Sequence, residues 1–192
     1  MTQPVVIGIG GFSSEVGKTT LLCELLRAFP DCEAIKTTRG HYRSCGKDPH
    51  ACCVSHLLGA EPLVRSGRAE TYEQGKDTGR YWDAGAVNVH WVIATDDQLD
   101  KGIQQAITRV KAPAVFVEGN SFAEFVNPDC MFMVKSAGDT QIKKSAKKIV
   151  ARATPIYVTN IYDELPEVIS RVERIFTRRR DGIAENGSGI DK

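Results

Sequence analysis

VVIGIGGFSSEVGKTTLL, residues Val5–Leu22, decides the fold of this chain. A short apolar run (Val5, Val6, Ile7, Ile9) stops at Gly10-Gly11. A polar loop follows, and Gly17-Lys18-Thr19-Thr20 then leads into leucines at helical spacing. Strand, glycine-bounded loop and helix in that order form the context a phosphate-binding loop requires. Its backbone N–H groups converge on phosphate oxygens, helped by the positive end of the helix dipole. Lys18 reaches the β- and γ-phosphates in such a loop, and the Thr19 hydroxyl ligates Mg²⁺. Gly11, Ser13, Ser14, Glu15, Val16, Gly17 and Thr20 frame the phosphates beside them. The usual pattern has four residues between its glycines, whereas five separate Gly11 from Gly17 here. A plain glycine turn before a buried helix is the alternative, and the agreement of motif with context weighs against it.

At 192 residues the chain fits one domain with a substantial core. With 42% apolar and 26% charged residues, the composition is that of a soluble globule. A formal charge of +1 supplies no global field for nucleic acid or an anionic membrane, so neither is expected as a partner. No apolar stretch approaches the ~20 residues that span a bilayer. The N-terminus, MTQPVV, lacks a basic region followed by a signal core, so a cytoplasmic protein is the expectation. In that reducing compartment the six cysteines (23, 32, 45, 52, 53 and 130) do not form a disulfide framework. Cys23 and Cys130, on a helix and a strand, suit small buried apolar positions.

Beyond the loop, Leu21, Leu22, Leu25, Leu26 and Phe29 make a helical stripe that ends before Pro30. Ala34-Ile35-Lys36 reads as a second strand running into polar Thr37-Thr38. Residues 41–76 read as an irregular, cysteine-rich insertion with a short helix near Val54–Leu58. DTGRYWDAGA, from Asp77, reads as a short helix that Asp77 or Thr78 can cap. Val87–Ala94 is an apolar strand, and Thr95 with Gln98 fits a capping box for the helix carrying Leu99, Ile103, Ala106, Ile107 and Val110. Ala114–Val117 reads as a central parallel strand ending in Glu118, and Met131–Val134 as another. The next helix turns Ile142, Ala146, Ile149, Val150 and Ala153 inward. Its Lys143, Lys144, Lys147 and Lys148 form a solvated face. Ile156–Asn160 is the last strand, followed by a helix bearing Leu165, Val168, Ile169, Val172, Ile175 and Phe176. The expectation is a three-layer α/β/α, parallel-sheet phosphate-loop domain over 1–177 and a disordered tail over 178–192. Ligands bind outside the carboxyl ends of such strands, so Lys36 with Thr37, Glu118, and Thr159 with Asn160 should converge on the loop.

GFSSEVGKTT resembles the five-residue-spaced loop of dethiobiotin synthetase and the cobyrinic acid amide synthetases. Ile35-Lys36-Thr37-Thr38, Gly75-Lys76-Asp77-Thr78 with Arg80, Ala84-Gly85-Ala86 and Val117-Glu118-Gly119 are similar, in that order, to the molybdopterin-guanine dinucleotide biosynthesis protein B family. The family's strand end usually continues with an aromatic and a lysine, whereas Asn120-Ser121-Phe122 follow here. The resemblance implies a nucleotide-binding accessory protein of molybdenum-cofactor biosynthesis, with GTP preferred to ATP, Mg²⁺ required and slow hydrolysis. It places Lys18 and Glu118 as the catalytic pair, Thr19 and Glu118 at the magnesium, and Lys36, Lys76, Asp77 and Arg80 at the ligand or a subunit interface. Its implied partners are a protein of the maturation pathway and, at such an interface, a second copy of the chain.

Three points stay open on the residues alone. Asp77 is either a helix cap or a ligand. Asn160 either bonds a purine base or forms an Asx turn. Cys45, Cys52, Cys53 and His56, with His41 and His50 close by, either hold Zn²⁺ or another thiophilic ion or are partly buried thiols. In the metal case the chain is a nucleotide-switched metallochaperone. A third activity, ATP-dependent carboxylate activation like that of dethiobiotin synthetase, needs a cationic pocket, for which Lys36, Lys76 and Arg80 are the candidates.

Overall fold

The structure is a computed structural model that describes residues 3–40, 54–136, 142–152 and 154–187. Strand β1 (Val5–Gly11) lies inside a seven-stranded sheet and is buried along its whole length. Val5, Ile7 and Ile9 face one layer and Val6 the other, the period-two alternation that a strand imposes. Around it lie β2 (Glu33–Arg39), β3 (Leu63–Ser66), β4 (Val89–Ala94), β5 (Ala114–Glu118), β6 (Cys130–Val134) and β7 (Ile156–Val158). Their order is β3-β4-β2-β5-β1-β6-β7, parallel throughout except for β3, which runs antiparallel along β4 at the edge. The register sets Ile9 opposite Glu118 and Lys36 opposite Glu118, so three strand ends meet at one level.

Helices cover both faces, which is why β1, β5 and β6 read as nearly continuous apolar runs. Helix α1 (Lys18–Ala28) packs Leu21, Leu22, Leu25 and Leu26, all fully buried, onto β1 and β5 with Phe116 and Phe132. Each such leucine contributes about 1.5–3 kcal/mol through burial. The same layer holds α3 (Asp77–Asp83) and α6 (Ile161–Gly187), through Tyr81, Val168 and Val172. The opposite layer holds α4 (Leu99–Arg109) and α5 (Lys144–Arg152), through Ile103, Ala106, Ala146 and Ile149. This is the expected three-layer α/β/α arrangement about a mostly parallel sheet. Among the described residues, no helix is long and apolar enough to cross a membrane.

Of the segment 41–76, the described residues 54–76 are more regular than their composition suggests. They contain a 3₁₀ turn (Ser55–Leu57), strand β3 and the short helix α2 (Arg68–Thr71). Four residues are too few for alternation to mark β3 in advance; pairing with β4 makes it a strand. The tail expected from residue 178 begins inside α6, which continues to Gly187. Extending an existing helix adds a hydrogen bond per residue, and Arg178–Arg180 propagate it well. On α5, Ala146 and Ile149 are buried, but Ile142 and Val150 are each 39% exposed. Ile142 precedes the helix, so the inward stripe is narrower than the periodicity implies.

At the end of β2 away from the phosphate loop, Glu33 and His90 form a buried pair, with Nε2 of the ring 2.6 Å from Oε2. Oε1 of Glu33 accepts the N–H groups of Lys111 and Ala112 at 2.7 and 2.8 Å, and His90 Nδ1 meets Ser66 Oγ at 2.8 Å. Burial alone would raise the Glu33 carboxyl, but the His90 bond and the two N–H donors outweigh it and hold it below the usual range. A depressed carboxyl stabilises the fold fully above its unfolded value, near pH 4.3, and that stabilisation is lost as pH falls through the folded value. Glu33→Gln should therefore lower stability at neutral pH by about 1–3 kcal/mol. Urea unfolding across pH should show a shallower acid slope for the variant than for the parent; equal slopes would refute this role.

Candidate functional site

Gly17 precedes α1 with φ +98°, a left-handed conformation that favours glycine. No side chain caps the helix. The N–H groups of Gly17, Lys18, Thr19 and Thr20 have no protein acceptor among the described residues. An uncapped helix start beneath a glycine-bounded loop offers these donors, with the dipole behind them, to an anion.

Contacts from three other elements hold the loop. Phe12 N–H donates to Val134 O at 3.0 Å. The Asn120 side chain pairs with Gly11 as a neighbouring strand would: Gly11 N–H donates to its Oδ1 and its Nδ2 donates to Gly11 O, both at 2.9 Å. Nδ2 also reaches Ser145 Oγ at 3.2 Å, linking α5 to the loop. Lys143, assigned by periodicity to a solvated face, is exposed and also donates from Nζ to Ser14 Oγ at 2.6 Å, while its N–H donates to Phe12 O at 3.0 Å. Nothing in a single sequence separates Lys143 from the three lysines near it.

Lys18 lies across its own loop, Nζ donating to Ser13 O at 3.2 Å. Burial, with Lys36 and Lys143 nearby, holds its ammonium below the usual lysine range, against the opposing pull of Glu118 and Asp77. Beside it the Thr19 hydroxyl faces two carboxylates, Glu118 Oε2 at 2.8 Å and Asp77 Oδ1 at 3.1 Å. Their other oxygens hold Lys36 Nζ, at 2.5 Å from Glu118 and 2.6 Å from Asp77. Burial opposes the Lys36 charge, but the two carboxylates overcome it and raise its pKa. Asp77 is likewise lowered, its burial outweighed by the Lys36 and Thr19 contacts. The Tyr81 hydroxyl completes the group by donating to Glu118 Oε2; burial, with that carboxylate close by, pushes its own pKa well up.

Gly119 locks the end of β5 over this group. Its φ is +142°, and a Cβ there would lie 2.0 Å from Thr37 Oγ1, which donates to Glu118 O at 2.9 Å. The neighbouring backbone thus needs both the left-handed region and the missing side chain.

Asp77 is not a helix cap. Lys76 occupies that position without a side-chain bond, and Asp77, in the first turn, turns its carboxylate to Thr19 and Lys36. Arg80 reaches Thr20 Oγ1 from Nη2 at 3.4 Å, and Lys76 is exposed. Glu15 is the one described non-glycine residue with positive φ, at 59°, and its side chain is exposed. Val16 packs against the core beside α1. Thr159 and Asn160 immediately precede α6. Glu164 Oε1 accepts both backbone N–H groups at 3.0 and 2.8 Å, and Asn160 Nδ2 donates to Asp163 at 2.6 Å. The helix nonetheless starts beside the loop, since a Cβ on Gly17 would meet Ile161 Cδ1 at 2.6 Å.

Cys45, Cys52 and Cys53 lie outside the described residues. His56 is exposed, at the wall of a cavity next to Lys36. No three His, Cys, Asp or Glu side chains are grouped to hold a metal among the described residues. Burial pushes the thiols of Cys23 and Cys32 up to about 11 and about 12, and raises Cys130 also, so these three are packing residues.

Lys36→Met should leave two facing carboxylates without their cation and destabilise the fold by about 3 kcal/mol. Millimolar Mg²⁺ should recover part of that loss, because hydroxyl and carboxylate oxygens suit a hard cation. Thermal melting in MgCl₂ against NaCl of equal ionic strength checks this, and identical curves would rule out a divalent site at Thr19, Asp77 and Glu118.

No protein-family model and no curated protein matches the chain. Among solved structures, LpxK from Aquifex aeolicus, in complex with ATP, is similar at 18% identity with a TM-score of 0.49. The match covers 83% of this chain and 49% of that one, so this chain spans about half the length of LpxK. The fold and the site therefore stand on the geometry given above.

Proposed function

We propose that the chain binds a magnesium nucleoside triphosphate on residues 11–20 and hydrolyses it slowly. The observation that carries this is the Thr19 hydroxyl, set between the carboxylates of Glu118 and Asp77 at an uncapped helix start. Hard oxygen donors of this kind fit Mg²⁺, and Lys36 already holds positive charge against the same two carboxylates. Thr19, Glu118 and Asp77 would hold the ion, which when bound neutralises charge on the phosphate oxygens. Lys18 and the free N–H groups bind and orient the triphosphate. Lys143, fixed on Ser14, adds a second positive charge beside Lys18, in the manner by which phosphoryl transfer is accelerated through positioning and charge stabilisation.

The finer assignment rests on the ordered resemblance over Lys36-Thr37, Lys76-Asp77 and Glu118-Gly119. It makes the chain a cytoplasmic, GTP-preferring accessory protein of molybdenum-cofactor biosynthesis, whose partner protein accelerates turnover. Asn160 contacts the purine base in this reading, for which its amide must leave Asp163.

Calorimetry with GTP and ATP, with and without Mg²⁺, tests binding and base preference together. Lys18→Ala should lower triphosphate affinity by roughly 10²–10³-fold, the scale of a lost charge-assisted phosphate contact. Unchanged affinity in a folded variant sinks the proposal. Glu118→Gln keeps the shape of the side chain and removes its charge, so the magnesium dependence of binding should weaken while the fold survives. Magnesium dependence equal to that of the parent would remove Glu118 from the ion.

A further inference from the structure

Between the antiparallel edge and Lys36 lies a cavity of about 650 Å³ that extends away from the phosphate loop's own residues. This is within the range of small-molecule sites. Its floor is Trp91 of β4 and Thr38 of β2, joined by Trp91 Nε1 donating to Thr38 Oγ1 at 2.9 Å. Lys36 and Asp77 form the wall it shares with the Thr19–Glu118 group. Arg65 of β3 pairs with Trp91 across the antiparallel register, its guanidinium carbon 5.9 Å from the indole centroid.

The charges of this cavity are unequally satisfied. Lys36 has two carboxylates, whereas half-buried Arg65 and exposed Lys76 have none among the described residues. Glu70 and Glu73 also line the space, but both are exposed, and Glu70 accepts the Ser66 N–H at 3.1 Å. A half-buried guanidinium without a carboxylate has lost hydration that an oxyanion would replace, through two parallel N–H donors. The indole beside it offers a flat apolar face. Arg80, the third cation expected of an acid-binding pocket, lies instead with Thr20, and Arg65 stands in that role.

We propose that this cavity is a second ligand site. It takes a small planar molecule bearing a carboxylate or phosphate, with the oxyanion on Arg65, the ring against Trp91 and the far end toward Lys36 and Asp77. A ligand reaching Lys36 shifts the charge balance around Thr19, so its binding and that of magnesium triphosphate are coupled, by about five- to tenfold in affinity. The coupling rests on the proposed nucleotide function; the site does not.

The chain has two tryptophans, so Trp82→Phe in the full chain makes Trp91 the sole indole reporter. Benzoate and phenyl phosphate serve as probes, with benzamide as the uncharged control. At least one oxyanion should shift Trp91 emission saturably with a dissociation constant near or below about 1 mM, a realistic value for a fragment, while benzamide should not. Which of the two binds tells carboxylate from phosphate. Arg65→Gln should weaken the response at least about tenfold, and Arg65→Lys, which keeps charge but loses the fork, should fall between. Calorimetry on the unsubstituted chain repeats the measurement without a reporter. Introducing Lys18→Ala should weaken triphosphate binding by the same roughly 10²–10³-fold and spare the probe response. Probe binding in a chain that never binds nucleotide would overturn the nucleotide function and leave this site standing. No saturable response to either probe, or an Arg65→Gln chain that binds as the parent does, overturns the site.

Discussion

The Glu118 carboxylate, 2% exposed at the end of β5, is the constraint around which the functional half of the molecule is arranged. A buried carboxylate is costly unless it is paired and hydrogen-bonded. Compensation comes from three elements: Thr19 from α1, Lys36 from β2 and Tyr81 from α3, while Thr37 satisfies its carbonyl. Each donor is distant in sequence, so the charge is tolerable only once the tertiary fold exists. Asp77 extends the group by sharing Lys36 and Thr19, which gives two carboxylates one ammonium and one hydroxyl.

That arrangement sets the electrostatics of the loop above it. Lys18, Lys36 and Lys143 crowd one region, and burial depresses Lys18 further. Such a concentration of positive charge is unfavourable alone and favourable once an anion arrives, which is the balance a phosphate site needs. The loop is held by contacts within the protein. Asn120 pairs with Gly11, Phe12 joins β6, and Lys143 and Ser145 bring in α5. Preorganised donors reduce what binding must spend on ordering.

A second buried charge, Glu33, lies at the opposite end of β2 and is compensated differently, by His90 and two backbone N–H groups. It belongs to stability, since its two oxygens are taken up by His90 and by the N–H groups of Lys111 and Ala112. The two glutamates show how one sheet supports both roles. At the amino end the charge closes a strand junction, and at the carboxyl end it faces the groups that leave the strands, where open α/β sheets bind ligands.

The residues alone determined the phosphate loop, the alternation of strands with helices and the apolar stripes of α1 and α4, because these depend on spacing within a few turns. They also singled out Glu118, a carboxylate directly after a continuous apolar run. Much of the site was beyond that reach. Asp77 could be a cap or a ligand until β2 supplied Lys36 to draw it inward, and Lys143 was one lysine of four until the loop passed beneath it. Tyr81 and Asn120 carried no local signal, since their partners lie 37 and 109 residues away. Strand β3 is a strand through its pairing with β4, and only that pairing places Arg65 over Trp91. Local pattern reports which face of an element is apolar; the partner of a polar side chain is decided by which elements the sheet makes neighbours.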